Sequence, residues 1–285
     1  MIANAPTKTW AGLPLTRKLV MGILNITPDS FSDGGLALDP AAAIAAGRAM
    51  LQGGADILDI GGESTRPDAA CVPPAIEIAR IIPVIRSLAA EGAVISVDTR
   101  NAATMAASLD AGAAIINDVS GLLHDPASAR LVAARGCPVV LMHMRGTPST
   151  MNRLAVYDDV VAEVLAELLA IRDAALAAGI LPQNIALDPG FGFAKLGAQN
   201  LALLRATSQF AALGHPLLIG LSRKRFIGTY GGEDNPARRG PASIAAGLYA
   251  LRAGAHILRV HDVAETVQAV RFWQRLIAGE HGTED

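Results

Sequence analysis

Aromatic residues make up only 4% of the 285-residue chain, and it has just two cysteines, Cys71 and Cys137. With so few rings, a large core must be filled by Ala, Val, Ile and Leu, which the 51% hydrophobic content supplies. Two cysteines without CxxC spacing exclude a disulfide framework and a paired-cysteine metal site; they suit a reducing compartment, so a cytoplasmic location is expected. Cys137, just before an apolar run, reads as a small buried residue. Charge of one sign is also lacking. The 24 basic and 26 acidic residues leave a formal charge of -2, so nothing draws the whole surface to nucleic acid or an anionic membrane, and any anion site must be local. No apolar run is long enough, and free enough of polar breaks, to span a bilayer. Residues 1–10 lack the charged segment and apolar core of a signal peptide.

What is present is a regular alternation. Asp39-Pro40 followed by an Ala-rich run to Gln52 reads as a capped helix closed by Gly53-Gly54. Further helices are expected over 73–90, 102–111, 126–135, 157–178, 200–213, 241–253 and 263–278. Short β-branched runs lie before and between them, at 19–24, 55–60, 93–97, 114–116, 138–142, 185–187, 216–221 and 256–260. Near-continuously apolar strands that alternate with helices require a parallel sheet covered on both faces. The expected fold is therefore α/β, a single-domain (β/α)8 barrel over 19–280, with a leader at 1–18 and a polar tail at 281–285. A doubly wound open sheet is the competing arrangement, but it would carry a glycine-rich turn leading straight into a helix after the first strand. Here the first strand runs into Asn25-Ile26-Thr27-Pro28-Asp29-Ser30-Phe31-Ser32-Asp33-Gly34-Gly35. That loop has turn chemistry, two carboxylates and no evident packing duty, so it reads as a working loop.

In a parallel barrel the C-terminal ends of all strands meet at one face, so the residues that stop each strand are the candidates for chemistry. They are Asn25, Asp59 with Glu63, Asp98, Asn117 with Asp118, Met142 with His143, Asp188, Ser222 with Lys224, and Arg259 with His261. Carboxylates and amides beside Asn25, Lys224, Arg259 and His261 suit a flat, donor-rich heterocycle with an anionic tail. Structural alternatives stand beside several of these. Asp98 and Asp188 would serve equally as caps, and His143, between two methionines, reads as a satisfied core or rim histidine. Asp262, three residues before Glu265, reads as a helix N-cap. One of Phe191 and Phe193 is expected to face a substrate. Ser222 has no evident His and Asp partners that would activate it as a nucleophile. HExxH and paired-cysteine spacings are missing, which argues against a caged transition metal; magnesium held by one protein oxygen and substrate phosphates leaves little trace in a sequence.

Met21 to Gly35 resembles the first signature of the dihydropteroate synthase family. The resemblance extends through Gly61-Gly62-Glu63-Ser64-Thr65-Arg66-Pro67, Ser96-Val97-Asp98-Thr99, Ile116-Asn117-Asp118, Asp188-Pro189-Gly190-Phe191-Gly192-Phe193, Ser222-Arg223-Lys224 and Arg259-Val260-His261-Asp262-Val263. Seven motifs in order, each at a strand end, cover nearly the whole chain. The resemblance implies a homodimeric TIM barrel that joins 6-hydroxymethyl-7,8-dihydropterin diphosphate to 4-aminobenzoate and is blocked by sulfonamides. It implies that Asp98, Asn117, Asp188 and Lys224 bind the pterin, and that Asn25, Arg259 and His261 bind the diphosphate with Mg2+, Asn25 as metal ligand. It further implies that Thr65, Arg66, Pro67, Phe193 and Lys224 line the aminobenzoate pocket. Asp33 and Arg66 would come from two mobile loops and act with Asp98, Asp188, Lys224 and Arg259 in catalysis, with residues 27–35 serving as a lid. Asp68, Ala194 and Arg225 stand where the family commonly has Gly, Gly and Ser. The rivals are a pterin-binding methyltransferase, which would have no diphosphate to release, and a non-catalytic pterin-binding paralogue, which would be expected to lose strand-end residues.

Overall fold

The computed structural model describes residues 9–27, 39–64 and 72–278. Eight parallel strands form the sheet: β1 (Leu19–Asn25), β2 (Ile57–Gly61), β3 (Ile95–Asp98), β4 (Ile115–Asp118), β5 (Val139–Met142), β6 (Ile185–Asp188), β7 (Leu218–Ile219) and β8 (Ile257–Val260). Neighbours in sequence are neighbours in space, and β8 pairs with β1 over Ile257 to Val260. Between β6 and β7 the sheet closes through a single parallel bridge, Leu187 to Leu217, supported by the Leu187 N–H donating to Pro216 O at 2.9 Å. The expected barrel is thus the observed one.

Around it lie α1 (Pro40–Gln52), α2 (Pro74–Ala90), α3 (Ala102–Asp110), α4 (Ser128–Arg135), α5 (Val160–Ala177), α6 (Gly197–Arg205), α7 (Thr207–Ala211), α8 (Arg225–Gly231), α9 (Gly240–Arg252) and α10 (Val263–Ala278). Asp39 caps α1 as its sequence predicts, Oδ1 accepting the Ala41 N–H at 2.9 Å. Two departures concern the second half of the barrel. The helix expected over 200–213 is divided at Ala206, where the N–H bonds to both Ala202 O and Leu203 O and the Thr207 hydroxyl donates to Leu204 O at 2.7 Å, tightening the turn. The stretch after β7, for which the sequence suggested no helix, contains α8; Gly228 and Gly231 within it obscure the helical pattern. Part of the leader is ordered. Thr9–Trp10 and Leu13–Pro14 form a small antiparallel hairpin.

That hairpin closes the floor of the barrel. Trp10 is almost fully buried among Leu19, Met21, Ile57, Ile115, Val140, Ala186, Leu218 and Ile257, and its indole N–H donates to Asn184 O at 3.0 Å. Side chains on a strand share a face every second residue. Two positions above Ile57, Ile115, Ala186 and Ile257 therefore stand Asp59, Asn117, Asp188 and Arg259. The interior is apolar at its base and polar one layer up.

Candidate active site

Arg259 is the hub of the polar layer. Its Nε donates to Asp59 Oδ2 at 2.5 Å and a terminal nitrogen donates to Asp98 Oδ2 at 2.6 Å. Asp59 also accepts from the Asn117 amide at 3.0 Å, so one carboxylate from β2 ties β4 to β8. Asp59 was visible in the sequence only as a strand-end carboxylate. The structure gives it the task of orienting Arg259 and Asn117, which its inward position beneath Gly61 allows. Burial opposes the charge on Arg259, but Asp59 and Asp98 outweigh it and hold the guanidinium above its ordinary range. It is a permanent cation.

Asp98 and Asp188 behave differently. Burial, against the pull of Arg259, raises the Asp98 carboxyl to about 7. Burial raises Asp188 to about 6, although the Gly190 N–H donates to its Oδ1 at 2.7 Å. Asp188 Oδ2 makes no hydrogen bond to a described residue, and Lys224 Nζ is free of carboxylate partners among them. The Lys224 ammonium instead lies over the Phe193 ring, 4.1 Å from its centroid, and burial followed by Arg259 lowers its pKa to about 8. Phe191 is stacked on Phe226 with centroids 6.3 Å apart and is 1% exposed, so Phe193 is the aromatic that faces the mouth.

The loop after β6 is held from behind by a buried lysine that the sequence reading passed over. Lys195 Nζ donates to Gly190 O at 2.9 Å and Phe193 O at 2.8 Å, and contacts His143 Nδ1 at 2.9 Å. His143 Nε2 in turn meets Glu167 at 2.8 Å. His143 is thus the satisfied core histidine expected, with burial and then Lys195 lowering its pKa to about 4. The only sequence signal for Lys195 is a charged residue in an otherwise apolar and glycine-rich loop.

Asn25 ends β1 in register with Gly61; its side chain lies beside that glycine and makes no hydrogen bond to a described residue. A neutral oxygen open to the mouth is the donor type a hard cation takes. Among the described residues no three His, Cys, Asp or Glu side chains cluster as metal ligands. His261 follows β8 and is held by Ser222, whose Oγ accepts the His261 N–H at 3.1 Å and lies 3.0 Å from Nδ1. Ser222 therefore does have a histidine partner. Asp262 is not the side-chain cap expected: its carboxylate pairs with Arg223, and its carbonyl accepts the Thr266 N–H at 3.1 Å. Arg225 is exposed at the start of α8. Asp118 serves its own turn, accepting from Ser120 and Leu122. Glu63 pairs with Arg100 through two bonds of 3.0 and 2.9 Å.

Asn25, Asp98, Asn117, Asp188, Phe193, Lys224, Arg259 and His261 all stand at the C-terminal mouth of the barrel. Asp33, Thr65, Arg66 and Pro67, with the lid expected over 27–35 apart from Thr27, lie outside the described residues, as does Asp68.

Comparison with known proteins gives the same direction. The family model described as pterin binding enzyme matches residues 21–261. A dihydropteroate synthase of Mycobacterium leprae is 49% identical over 258 residues, covering 88% of this chain and 91% of its own. The structure of Xanthomonas albilineans dihydropteroate synthase with 4-aminobenzoic acid superposes with a TM-score of 0.89 at 49% identity, covering 94% of this chain and 97% of that one. That of the Yersinia pestis enzyme with a sulfonamide drug does so with a TM-score of 0.88 at 42% identity, covering 93% and 96%.

Proposed function

This chain belongs to the pterin-binding enzymes and, among them, to the dihydropteroate synthases, and on that premise we infer the work of its barrel mouth. It is a transferase that condenses 6-hydroxymethyl-7,8-dihydropterin diphosphate with 4-aminobenzoate to give 7,8-dihydropteroate and diphosphate. The observation that carries this is the convergence of acceptors (Asp98, Asn117, Asp188) and a half-buried ammonium (Lys224) beside a permanent cation, Arg259. A pterin edge of N–H and NH2 groups suits those carboxylates.

The bond between the pterin methylene and the diphosphate oxygen breaks, its electron pair leaving with diphosphate. Arg259 and His261 stabilise the charge that develops there, and preorganised donors of this kind contribute roughly a hundredfold or more. Asp98 and Asp188 favour the cation left on the methylene. The aminobenzoate nitrogen then attacks that carbon and loses a proton, with the Phe193 face and Lys224 lining its pocket. Asn25 would hold Mg2+ through its amide oxygen, and the ion, when bound, neutralises diphosphate charge. Thr65, Arg66 and Pro67 complete the aminobenzoate pocket in this reading, and Asp33 and Arg66 reach the reacting groups from the two loops; sulfonamides compete for the same space. Exposed Phe272, Leu276 and Ile277 on α10 support a homodimer contact through the late helices. A location in the cytoplasm accords with a chain whose described residues include no helix long and apolar enough to cross a membrane.

The test is diphosphate release on mixing both substrates with Mg2+, with and without a sulfonamide. Release that depends on both substrates is expected, with Arg259→Ala lowering kcat/KM at least about a hundredfold. Unchanged synthesis in that variant would remove Arg259 from the mechanism.

A further inference from the structure

Ser222 stands two residues before Lys224 and is 8% exposed. Its Oγ accepts the backbone N–H of His261 at 3.1 Å and lies 3.0 Å from Nδ1 of the same residue. A hydroxyl has one proton to give, and among the described residues Nδ1 is the one acceptor that it meets. If Nδ1 carried the ring proton, two N–H groups would point at Oγ while its own proton stayed buried without an acceptor, an arrangement that costs desolvation with no return. If Nδ1 is bare, each donor has its acceptor: backbone N–H to Oγ, and Oγ–H to Nδ1.

We propose that Ser222 is a positioning residue that fixes His261 in the Nε2–H tautomer, so that the ring meets the departing diphosphate as an N–H donor. This rests on the reading of the mouth as a diphosphate site. Nε2 makes no hydrogen bond to a described residue, so its proton is free for a ligand. Burial, then Arg259 and Arg223, bring the ring's pKa down to about 4. Three cationic side chains, Arg223, Lys224 and Arg259, already act on the ring, against one carboxylate, Asp262, which is paired with Arg223. A neutral donor there adds a directed hydrogen bond without adding like-charge repulsion, and it presents a proton rather than a lone pair to an anion.

Ring nitrogen NMR of the 15N-histidine-labelled protein at pH 7.5, with His261 assigned by its loss in His261→Asn, reads the tautomer directly. The Nε2–H pattern is expected. Ser222→Ala should turn it into a mixture and weaken binding of inorganic diphosphate roughly 3- to 10-fold in calorimetry, and Ser222→Thr should restore both. An Nδ1–H ring in the unsubstituted protein overturns the proposal, and so does Ser222→Ala with tautomer and Kd unchanged. Should Ser222→Ala fail to fold, the spectrum of the unsubstituted protein still decides. The spectrum involves no turnover, so its failure leaves the synthase reading standing, whereas failure of the two substrates to release diphosphate overturns that reading instead.

Discussion

Asp59 and Asp98 share one cation, Arg259, between two carboxylates, and that imbalance sets how the site responds to pH. Asp98, at about 7, and Asp188, at about 6, both lie above the ordinary carboxyl value of 3.8 because burial disfavours their charge. For an acid raised in this way the folded protein holds its proton more tightly than the unfolded chain. Its share of stability is therefore greatest below 3.8 and is lost as pH rises to the folded value. Pterin recognition at the proposed site would run the other way, because ionised oxygens would accept the ring's N–H groups. On acidification the KM for the pterin substrate should rise, by about tenfold or more per unit below pH 6, while the Tm of the ligand-free protein gains a contribution that Asp98→Asn abolishes. A flat KM between pH 7.5 and 5 would show that the neutral carboxyls suffice. The residue types here were legible in the sequence because every second position on a strand shares a face. The division of labour was not: Asp59 and Asp98 both end apolar runs and both accept from Arg259, and only the Asn117 amide, bonded to Asp59 alone, distinguishes the tie from the carboxylate proposed to read the pterin.

At the scale of one element, the segment that follows β6 shows why a glycine and a lysine flank the working residues. Gly190 has φ +72°, and a Cβ there would lie 2.0 Å from His143 O. The same glycine gives its N–H to Asp188 and its carbonyl to Lys195. Gly190→Ala should lower stability by about 1–3 kcal/mol and raise KM for both substrates, measured by thermal melts and steady-state kinetics. A variant with unaltered melting and KM would mean that the loop can shift without disturbing Asp188 or Phe193. Ala194 adopts φ +50°, a left-handed conformation where glycine is at ease, yet its methyl is fully buried with Phe193 and Met142; the backbone strain is set against packing. The DPGFGF pattern made this loop readable as a site. Lys195 escaped because its partners are carbonyls and His143, which comes 52 residues earlier, and no local spacing encodes such a contact. The same limit hid α8, where tertiary packing of Phe226 and Ile227 overrides two glycines, Gly228 and Gly231.

The whole barrel is uneven around its circumference. β1 and β2 share a five-residue register from Met21 to Asn25, whereas β7 is two residues long and meets β6 through one bridge. Alternation of helix and strand announced the barrel, because parallel strands need covering on both faces, but it carried no information on where the ring is thin. Nor did it reveal the hairpin floor, since two strands of two residues leave no period. The thin place lies directly under Asp188 on one side and leads into Lys224 on the other. A pterin that engages both residues would act as a clasp across the opening, and breathing of the ring would be coupled to occupancy. Hydrogen exchange should therefore slow on ligand binding at the amides of Leu187 and Leu218 far more than at those of Leu58 or Ile60; equal slowing all round would dissociate the two. A ligand held by both residues would thus complete the architecture, fastening the stave with the fewest pairings.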